Sequence, residues 1–482
     1  MSDSFLGIKS STNSSSAGYC CTIKSLIFRC SDERTALAVL MFLSFILLVF
    51  TGYPVAWILG GLAVMFTAFA IILEVDFDLS IGVDWFFTSL SVDRIWGVME
   101  NWVMVALPMF VLMGLLLDRS GIANQLMIGF SKLFGRVNGG LAIAVTIIGL
   151  LLAATTGIIG ASVVLLALLG LPPMLEKGYD TRLATGTVCA VGTLGILIPP
   201  SIMLVLMADR MSMSVGDLFL GAVFPGAILG SMYILYIWFF GLISPNKAPA
   251  AMEENFEWDI ILELFRAIIP PAFLILAVLG SIFFGVATPT EAGALGAVGA
   301  MVLAAIEGGF SRSNLAKVCD ETLRVTAMVM AILLGSTAFA LVFRSLGGDA
   351  MIREVLVNLP GGQLGFLVVS MAVIFALGFF IDFFEIAFIV VPLLLPSARE
   401  LLGPESLLWF GVLIGANLQT SFLTPPFGFA LFFLRGVAPK EVSTKAIYQG
   451  VWPFIAVQVA VLVLIILFPA LVNTLPALSQ AS

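Results

Sequence analysis

The sequence predicts an all-α polytopic membrane protein with two inverted repeats, each containing a re-entrant helical hairpin and a helix broken at a Pro-Pro pair. Three observations predict this fold. Of the 482 residues, 60% are hydrophobic and only 11% are charged, whereas roughly a quarter of the residues in a soluble domain are charged. Apolar runs of membrane-spanning length recur along the chain. Pro199-Pro200 and Pro425-Pro426 stand at matching places in its two halves.

The apolar runs define the predicted elements in order. Residues 1–34 are polar and Ser-rich, which predicts a flexible tail. A bilayer core of about 30 Å requires about 20 apolar residues per helix. Runs of this kind predict spans near 35–51, 54–73, 101–117, 184–206, 218–243, 268–286, 292–306, 322–343, 408–433 and 448–470.

Two longer apolar stretches, 139–176 and 366–397, do not fit one crossing each. The first is interrupted by Thr155-Thr156-Gly157, and the second by Asp382-Phe383-Phe384-Glu385. Such residues are unsuited to the middle of a lipid-facing helix. We therefore predict two re-entrant hairpins, each of which enters and leaves the membrane on the same side.

Loop charges predict an orientation. Short cytoplasmic loops are enriched in Lys and Arg. With the N-terminus outside, the predicted inner loops hold more basic residues than the outer loops and the tail together. In that orientation Arg119 lies inside, and Arg94, Arg210 and Arg344 lie outside.

An internal repeat links the two Pro-Pro pairs. Thr193–Leu206 reads TLGILIPPSIMLVL and Gln419–Phe432 reads QTSFLTPPFGFALF. The same offset that aligns the prolines places Thr156, at the first hairpin tip, on Asp382 at the second. An odd number of predicted spans separates the pairs, so the halves are predicted to be inverted. Inverted repeats with discontinuous helices are typical of transporters.

Proline supplies the chemistry of the broken helices. It removes a backbone donor and disfavours helical angles in the residue before it, which frees carbonyl oxygens near 195–198 and 421–424. Oxygen atoms of this kind, with the hydroxyls of Thr193, Thr420, Ser421 and Thr424, suit a small hard cation such as Na⁺. The helix N-termini at the hairpin tips favour an anionic solute.

Three acidic residues need separate interpretations. Intramembrane carboxylates are costly and often functional, so Asp382 and Glu385 could hold a cation, carry a proton or lock the hairpin tip. Alternatively, both could be hydrated near the outer surface. For Glu291 we favour a structural role, with Thr290 capping the small-residue helix that follows. The amphipathic stretches 85–98 and 122–134 are predicted to lie along the bilayer surface.

Composition excludes several functions. The chain has no histidine, which removes His-based zinc sites, Ser-His or Cys-His catalysis and imidazole relays. A formal charge of -8 without a basic tract argues against nucleic acid as a partner. The five cysteines show no metal-binding pattern. We expect no enzyme activity, no cofactor and no transition metal.

Several motifs together resemble the large membrane subunit of tripartite ATP-independent periplasmic (TRAP) transporters, within the ion transporter superfamily. They are LPMFVLMG, LPPMLEKGYD, GTLGILIPPSI, ATPTEAGA and TSFLTPPFGFALFFLRGVAP. The resemblance covers residue 35 to the end. It implies Na⁺-driven uptake of a small carboxylate by an elevator motion across the bilayer of a bacterial or archaeal cytoplasmic (inner) membrane. It also implies two partners, a small membrane subunit and a periplasmic solute-binding protein.

The resemblance also implies site residues. Na⁺ sites in the family lie where each hairpin tip meets its broken helix. The matching positions here are Thr156, Gly157, Thr193, Gly195 and Pro199 in the first half and Asp382, Thr420, Ser421, Thr424 and Pro425 in the second. For the solute we select Thr155, Thr156, Ser162, Ser201, Asn417 and Gln419. The first tip, TTGIIGAS, departs from the serine- and glycine-rich tip of many members, which leaves the solute open.

The predicted domain organisation follows the repeat. A flexible tail (1–34) precedes first-half scaffold spans and an interfacial helix (35–135). The first transport domain (136–206) and second transport domain (344–433) each contain a hairpin and a broken helix. Further scaffold spans (207–343) separate them, and a last scaffold span with the C-terminal tail (434–482) follows.

Other functions remain as alternatives. One is a stand-alone ion-coupled symporter or exporter of organic or inorganic anions from the same superfamily. An intramembrane aspartyl protease would need two facing aspartates, and only Asp382 clearly qualifies. A channel is also possible, although hairpins with charged tips suit an occluded site better than an open pore.

Overall fold

A computed structural model describes residues 33–77, 81–250, 258–308 and 311–481. The predicted flexible tail, apart from its last two residues, lies outside these ranges. All regular elements within them are helical, with no strand, as the sequence predicts. The all-α polytopic fold is therefore confirmed.

Twenty-one α-helices are defined in the described ranges. Those of the first half are α1 (Glu33–Val49), α2 (Val55–Phe77), α3 (Trp85–Met99), α4 (Val103–Arg119), α5 (Ile122–Phe134), α6 (Gly140–Thr156), α7 (Ile159–Glu176), α8 (Thr181–Gly192), α9 (Ile202–Met211) and α10 (Val215–Ile243). Those that follow are α11 (Trp258–Phe283), α12 (Pro289–Ile306), α13 (Arg312–Ser345), α14 (Gly348–Val357), α15 (Gly362–Leu377), α16 (Phe383–Glu385), α17 (Val391–Leu402), α18 (Leu407–Leu423), α19 (Phe429–Val437), α20 (Thr444–Leu467) and α21 (Ala470–Ala481). A π-helical turn, Ile386–Val390, joins α16 to α17.

Within the described part of the chain, eight helices are long and apolar enough to cross a membrane. Two more, α3 and α4, form a pair bent by 56° that could count as a ninth span. The bend sets α3 at an angle to α4, and the position of 85–98 along the bilayer surface stays a prediction. One of the eight is α7, an arm of the first hairpin, which passes by length and composition alone.

Each predicted hairpin folds as two helices that pack against each other. In the first, α6 ends at Thr156 and α7 begins at Ile159. Gly157 ends α6 with a φ of 57°, a left-handed conformation that favours glycine because it has no Cβ. In the second, α15 ends at Leu377 and the returning arm begins at Phe383.

Each predicted broken helix is interrupted at its Pro-Pro pair. The first breaks between α8 and α9, with a 3₁₀ turn over Leu194–Ile196. The second breaks between α18 and α19. Both Pro-Pro peptide bonds are cis. The repeat aligns Gly121 with Gly347. Each of these glycines has left-handed backbone angles and stands immediately before an amphipathic helix.

The two broken helices meet in the centre of the molecule. The Gln419 side-chain amide donates to the Thr193 carbonyl at 2.8 Å, across a sequence separation of 226 residues. These two positions are equivalent in the repeat, and equivalent positions can touch only near the axis that relates them. Nearby, a Cβ on Gly186 of α8 would lie 2.2 Å from the Gly450 carbonyl oxygen of α20. The two halves therefore share one core.

We call the helices of the two predicted transport domains, α6–α9 and α14–α19, the hairpin unit. The helices outside the hairpin unit pack through small residues. On α12, a Cβ at Gly296 would lie 2.5 Å from the Met113 sulfur of α4, which confirms the close packing predicted for this helix. The predicted cap was wrong. Thr288, not Thr290, caps α12 and forms a capping box with Glu291. Thr290 instead donates to the Trp102 carbonyl at 2.8 Å.

Two helices assigned to the scaffold, α10 and α20, also contact the hairpin unit directly. The α20 contact is the Gly186–Gly450 approach, and on α10 a Cβ at Gly226 would lie 3.0 Å from the Ile198 side chain at the first break. The boundaries at 207 and 434 therefore stay predictions. The amphipathic helix α5 matches its predicted range, and its apolar face is buried.

Candidate solute site

Both hairpin tips border one cavity. Its volume is about 750 Å³, within the range of about 300–1,000 Å³ typical of small-molecule sites. Its walls come from the two tips, from α7 and α19 of the hairpin unit, and from α4 and α13. The charged residues that line it are Asp118, Arg119, Glu321 and Asp382, and its aromatic residues include Phe384 and Phe433.

Asp382 is the charged group that the second tip contributes. Its Oδ1 accepts a hydrogen bond from the backbone N–H of Phe383 at 2.7 Å, so it caps the returning arm of the hairpin. The second carboxylate oxygen is not used in that cap. The predicted tip-locking contact is thus present, and the residue also lines the cavity.

The opposite wall carries three more charged groups. Arg119 of α4 forms an ion pair with Glu321 of α13, and the two side chains are 34% and 41% exposed. Beside them, Asp118 has a buried Oδ1 with no hydrogen-bond partner among the described residues. Sequence reasoning missed all three as site residues, because the end of α4 reads as a loop and Glu321 lies 202 residues further along. Only the fold brings them together.

The first tip packs against its own broken helix. A Cβ on Gly195 would lie 3.5 Å from the Gly157 Cα and 3.4 Å from the Ala153 carbonyl oxygen. The Ser201 hydroxyl donates to the Ile196 carbonyl at 2.7 Å, so one of the carbonyls near the break has a partner. Of the predicted Na⁺ positions, Gly157 and Gly195 meet in this contact, and Thr193 directly precedes the 3₁₀ turn that contains Gly195. Pro199 follows that turn in the sequence.

The second hairpin is tied to its broken helix by side-chain hydrogen bonds. Ser421 donates to the Phe375 carbonyl at 2.7 Å, and Asn417 donates to the Met371 carbonyl at 2.8 Å. A Cβ on Gly378 would lie 2.5 Å from the Ser421 hydroxyl oxygen. The break therefore sits directly against the last turns of α15.

Two further predicted hydroxyls bond within their own helix. Thr424 donates to the Thr420 carbonyl at 2.6 Å, and Thr420 donates to the Ala416 carbonyl at 3.2 Å. A hydroxyl oxygen that donates in this way still has lone pairs for a cation. The arrangement leaves both residues available as oxygen ligands next to Pro425.

The remaining predicted residues take different places. Ser162 is buried in the first turn of α7. The side chains of Thr155 and Thr156 fall in the part of the chain that the structure does not describe. Glu385 is 4% exposed and is not among the residues that line this cavity. Its Oε2 has no hydrogen-bond partner among the described residues. It is therefore not a hydrated surface residue.

Comparison with known proteins identifies the family. The family model described as "Tripartite ATP-independent periplasmic transporter, DctM component" matches residues 42–471. This chain belongs to that family. It is a TRAP large permease subunit for solute transport, and a polytopic membrane protein.

Curated relatives of this TRAP permease agree over most of their length. The chain is 31% identical over 391 residues to the C4-dicarboxylate TRAP transporter large permease protein DctM of Pseudomonas aeruginosa, covering 80% of this chain and 89% of the relative. It is 28% identical to the protein of the same name from Rhodobacter capsulatus, covering 92% and 99%. It is 26% identical to the 2,3-diketo-L-gulonate TRAP transporter large permease protein YiaN of Escherichia coli, covering 90% and 98%. These relatives are transporter permeases rather than enzymes.

A solved structure shares the fold of this TRAP permease. The YdaH transporter of Alcanivorax borkumensis matches with a TM-score of 0.52 and 14% sequence identity, covering 78% of this chain and 89% of the other. At this identity the likeness concerns the fold alone. It supports the polytopic transporter architecture and says nothing about the solute.

Proposed function

We propose that this TRAP permease carries a small carboxylate-bearing anion inward, coupled to Na⁺, by an elevator motion. The observation that carries the proposal is the cavity bordered by both hairpin tips, with charged residues on opposite walls. The tips belong to the two repeats, and the facing wall belongs to α4 and α13. A solute held between them would be released when the hairpin unit slides along that wall.

Arg119 supplies the cationic group for a carboxylate. Its ion pair with Glu321 is partly exposed, and such pairs contribute only about 0–1 kcal/mol. A solute carboxylate can therefore replace Glu321 as the partner at little cost. The N-terminus of α7 adds partial positive charge at the first tip. Relatives named for C4-dicarboxylates and for 2,3-diketo-L-gulonate, which are carboxylates, support the same solute class.

The oxygen atoms near the two helix breaks are ligands that suit Na⁺. Carbonyl and hydroxyl oxygens suit a small hard cation, and both are concentrated where Gly157 meets Gly195 and where Thr420 and Thr424 precede Pro425. Asp382 supplies a carboxylate at the second tip. We propose that these two regions hold the coupling ions, so that Na⁺ binding fixes each tip against its broken helix.

We further propose a three-part assembly. The family is named for tripartite periplasmic transporters, which supports a small membrane subunit and a periplasmic binding protein as partners in a bacterial or archaeal cytoplasmic membrane. A stand-alone symporter of the same fold would need neither.

Reconstitution tests the proposal. The permease would be placed in liposomes with its small subunit, and succinate uptake measured with and without an inward Na⁺ gradient and the binding protein. We expect uptake only when both are present. Uptake without the binding protein would indicate the stand-alone symporter. Equal uptake with an inward K⁺ gradient would overturn Na⁺ coupling.

A further inference from the structure

A second pocket carries three arginines. Arg94 of α3, Arg210 of α9 and Arg344 of α13 line a cavity of about 290 Å³, together with Asn101, Ser336 and Thr337. The three positions are far apart in sequence, where each stands out only as a basic residue of a predicted outer loop. No acidic residue lines this pocket in the described part of the chain.

The three guanidinium groups differ in how far acidic partners neutralise their charge. Arg210 is paired with Asp209 and lies over the Phe388 ring at 5.7 Å. Asp209 also accepts from the Asn101 side chain at 2.5 Å, which fixes this side of the pocket. Arg344 has only a long ion pair, 3.8 Å, to Asp349. Arg94 forms no ion pair with any described residue.

The pocket therefore presents cationic groups in excess of their anionic partners. Arg94 and Arg344 keep most of their donors unused, and guanidinium groups bind carboxylates with two parallel hydrogen bonds. The hydroxyls of Ser336 and Thr337 donate to a carbonyl of their own helix, so the guanidinium groups are the donors that would hold an anion in this pocket. A small dianion would be matched by two guanidiniums, and the volume admits one such molecule.

This pocket and the tip cavity lie along the same seam. Both are bordered by α13 and by the returning arm of the second hairpin: Val325 and Phe384 line the tip cavity, while Ala340 and Phe388 line the arginine pocket. On α13, 15 residues separate Val325 from Ala340, which corresponds to roughly 22 Å of helix. In the orientation predicted from loop charges, the arginine pocket lies on the outer side and Arg119 on the inner side.

We propose that the arginine pocket is an outer anion-binding site, which captures the carboxylates of the solute before it reaches the cavity between the tips. This inference rests on the proposed transport of a carboxylate. Arg94 and Arg344 bind the anion, whereas Arg210, held by Asp209 and Phe388, forms a fixed positive wall. The site is separate from the tip cavity and operates without Na⁺.

Protection of an engineered cysteine tests the site without any transport step. Thr337→Cys would be made in a chain in which the accessible and tail cysteines (Cys20, Cys21, Cys30 and Cys319) are replaced by serine. A membrane-impermeant maleimide would be added outside liposomes holding the whole permease with its small subunit. We expect labelling from outside, slowed by succinate but not by NaCl of equal ionic strength.

Charge variants identify the groups that hold the anion. In Arg94→Gln/Arg344→Gln, the succinate concentration that protects the cysteine should rise by about tenfold or more, because charge-assisted hydrogen bonds are lost. The charge-conserving Arg94→Lys/Arg344→Lys pair should retain much of the protection, which shows that the pocket still folds. Arg353 also lies on the predicted outer side of the membrane, but outside this pocket. Arg353→Gln removes its charge and should leave the protection of the cysteine by succinate unchanged.

Three results would overturn the inference. The first is the absence of protection by succinate, and the second is protection that survives in the double glutamine variant. The third is slow labelling that depends on anionic phosphatidylglycerol in the liposome and not on succinate, which would assign the site to a lipid phosphate. Since labelling requires neither a Na⁺ gradient nor the binding protein, failure of the transport proposal leaves this measurement interpretable.

Discussion

At the scale of single residues, Asp382 has two separable roles. It caps the returning arm of the second hairpin through one oxygen and presents a negative charge to the cavity. The sequence predicted its importance because an acid inside an apolar run is costly. It could not predict Asp118, Arg119 and Glu321, because an acid or base at the end of a span looks like an ordinary loop residue.

Asp382→Asn separates the two roles. Asparagine also caps helices well, so the fold is retained while the charge is lost. We expect Na⁺-driven uptake to fall by about tenfold or more, since hydrogen bonds and ion contacts to a charged group are the strong ones. Asp84→Asn is the matched control, because Asp84 also caps a helix, α3, through its side chain, accepting from the backbone N–H of Phe87 at 2.7 Å. Unchanged uptake in Asp382→Asn would remove Asp382 from the ion site.

A second residue prediction concerns Thr424. Its hydroxyl bonds the Thr420 carbonyl, and removing one such bond costs about 0.5–1.5 kcal/mol, too little to unfold the protein. We nevertheless expect Thr424→Ala to abolish uptake, because the hydroxyl is a proposed Na⁺ ligand next to Pro425. Thr474→Ala, which loses the same kind of bond to the Ala470 carbonyl on α21, should transport normally. Full Na⁺-dependent uptake by Thr424→Ala would contradict the ion assignment.

At the scale of elements, the sequence predicted the hairpins and the broken helices, and it did so for physical reasons. Proline pairs remove backbone donors, and glycine, threonine or aspartate interrupt an otherwise apolar run. These are local signals. The partners of the freed groups were not predictable, because they are set by packing: Ser421 bonds a carbonyl of α15, and Gln419 reaches the opposite repeat.

The contact between α8 and α20 gives a prediction on stability. A Cβ at Gly186 would lie 2.2 Å from the Gly450 carbonyl oxygen, so Gly186→Ala must separate the two helices. Overpacking of this kind costs about 1–3 kcal/mol, and we expect a lower thermal unfolding temperature in detergent. Gly436→Ala on α19, where nothing lies within 4 Å, should not lower it. Equal unfolding temperatures for the two variants would show that α8 and α20 are not held in this close contact.

At the scale of the whole molecule, two cavities lie along one seam between α13 and the second hairpin. The duplication explains why two tips meet at one of them, since each repeat supplies one hairpin. The repeat was visible in the sequence through the offset of the proline pairs. The seam was not, because residues from both repeats and from the helices between them build it. In the proposed elevator motion, the hairpin unit would move along this seam.

Cross-linking across that seam is the most direct test of the account. Val325→Cys on α13 and Phe384→Cys at the second tip line the same cavity, and would be joined by a reducible bifunctional thiol reagent in the serine-substituted chain. We expect the link to stop Na⁺-driven uptake and reduction to restore it. As a control, Arg353→Cys and Glu400→Cys, whose side chains form an exposed ion pair within the second predicted transport domain and outside this cavity, should be linked without loss of uptake. Full uptake by a completely linked Val325→Cys/Phe384→Cys protein would contradict movement of the hairpin unit along α13.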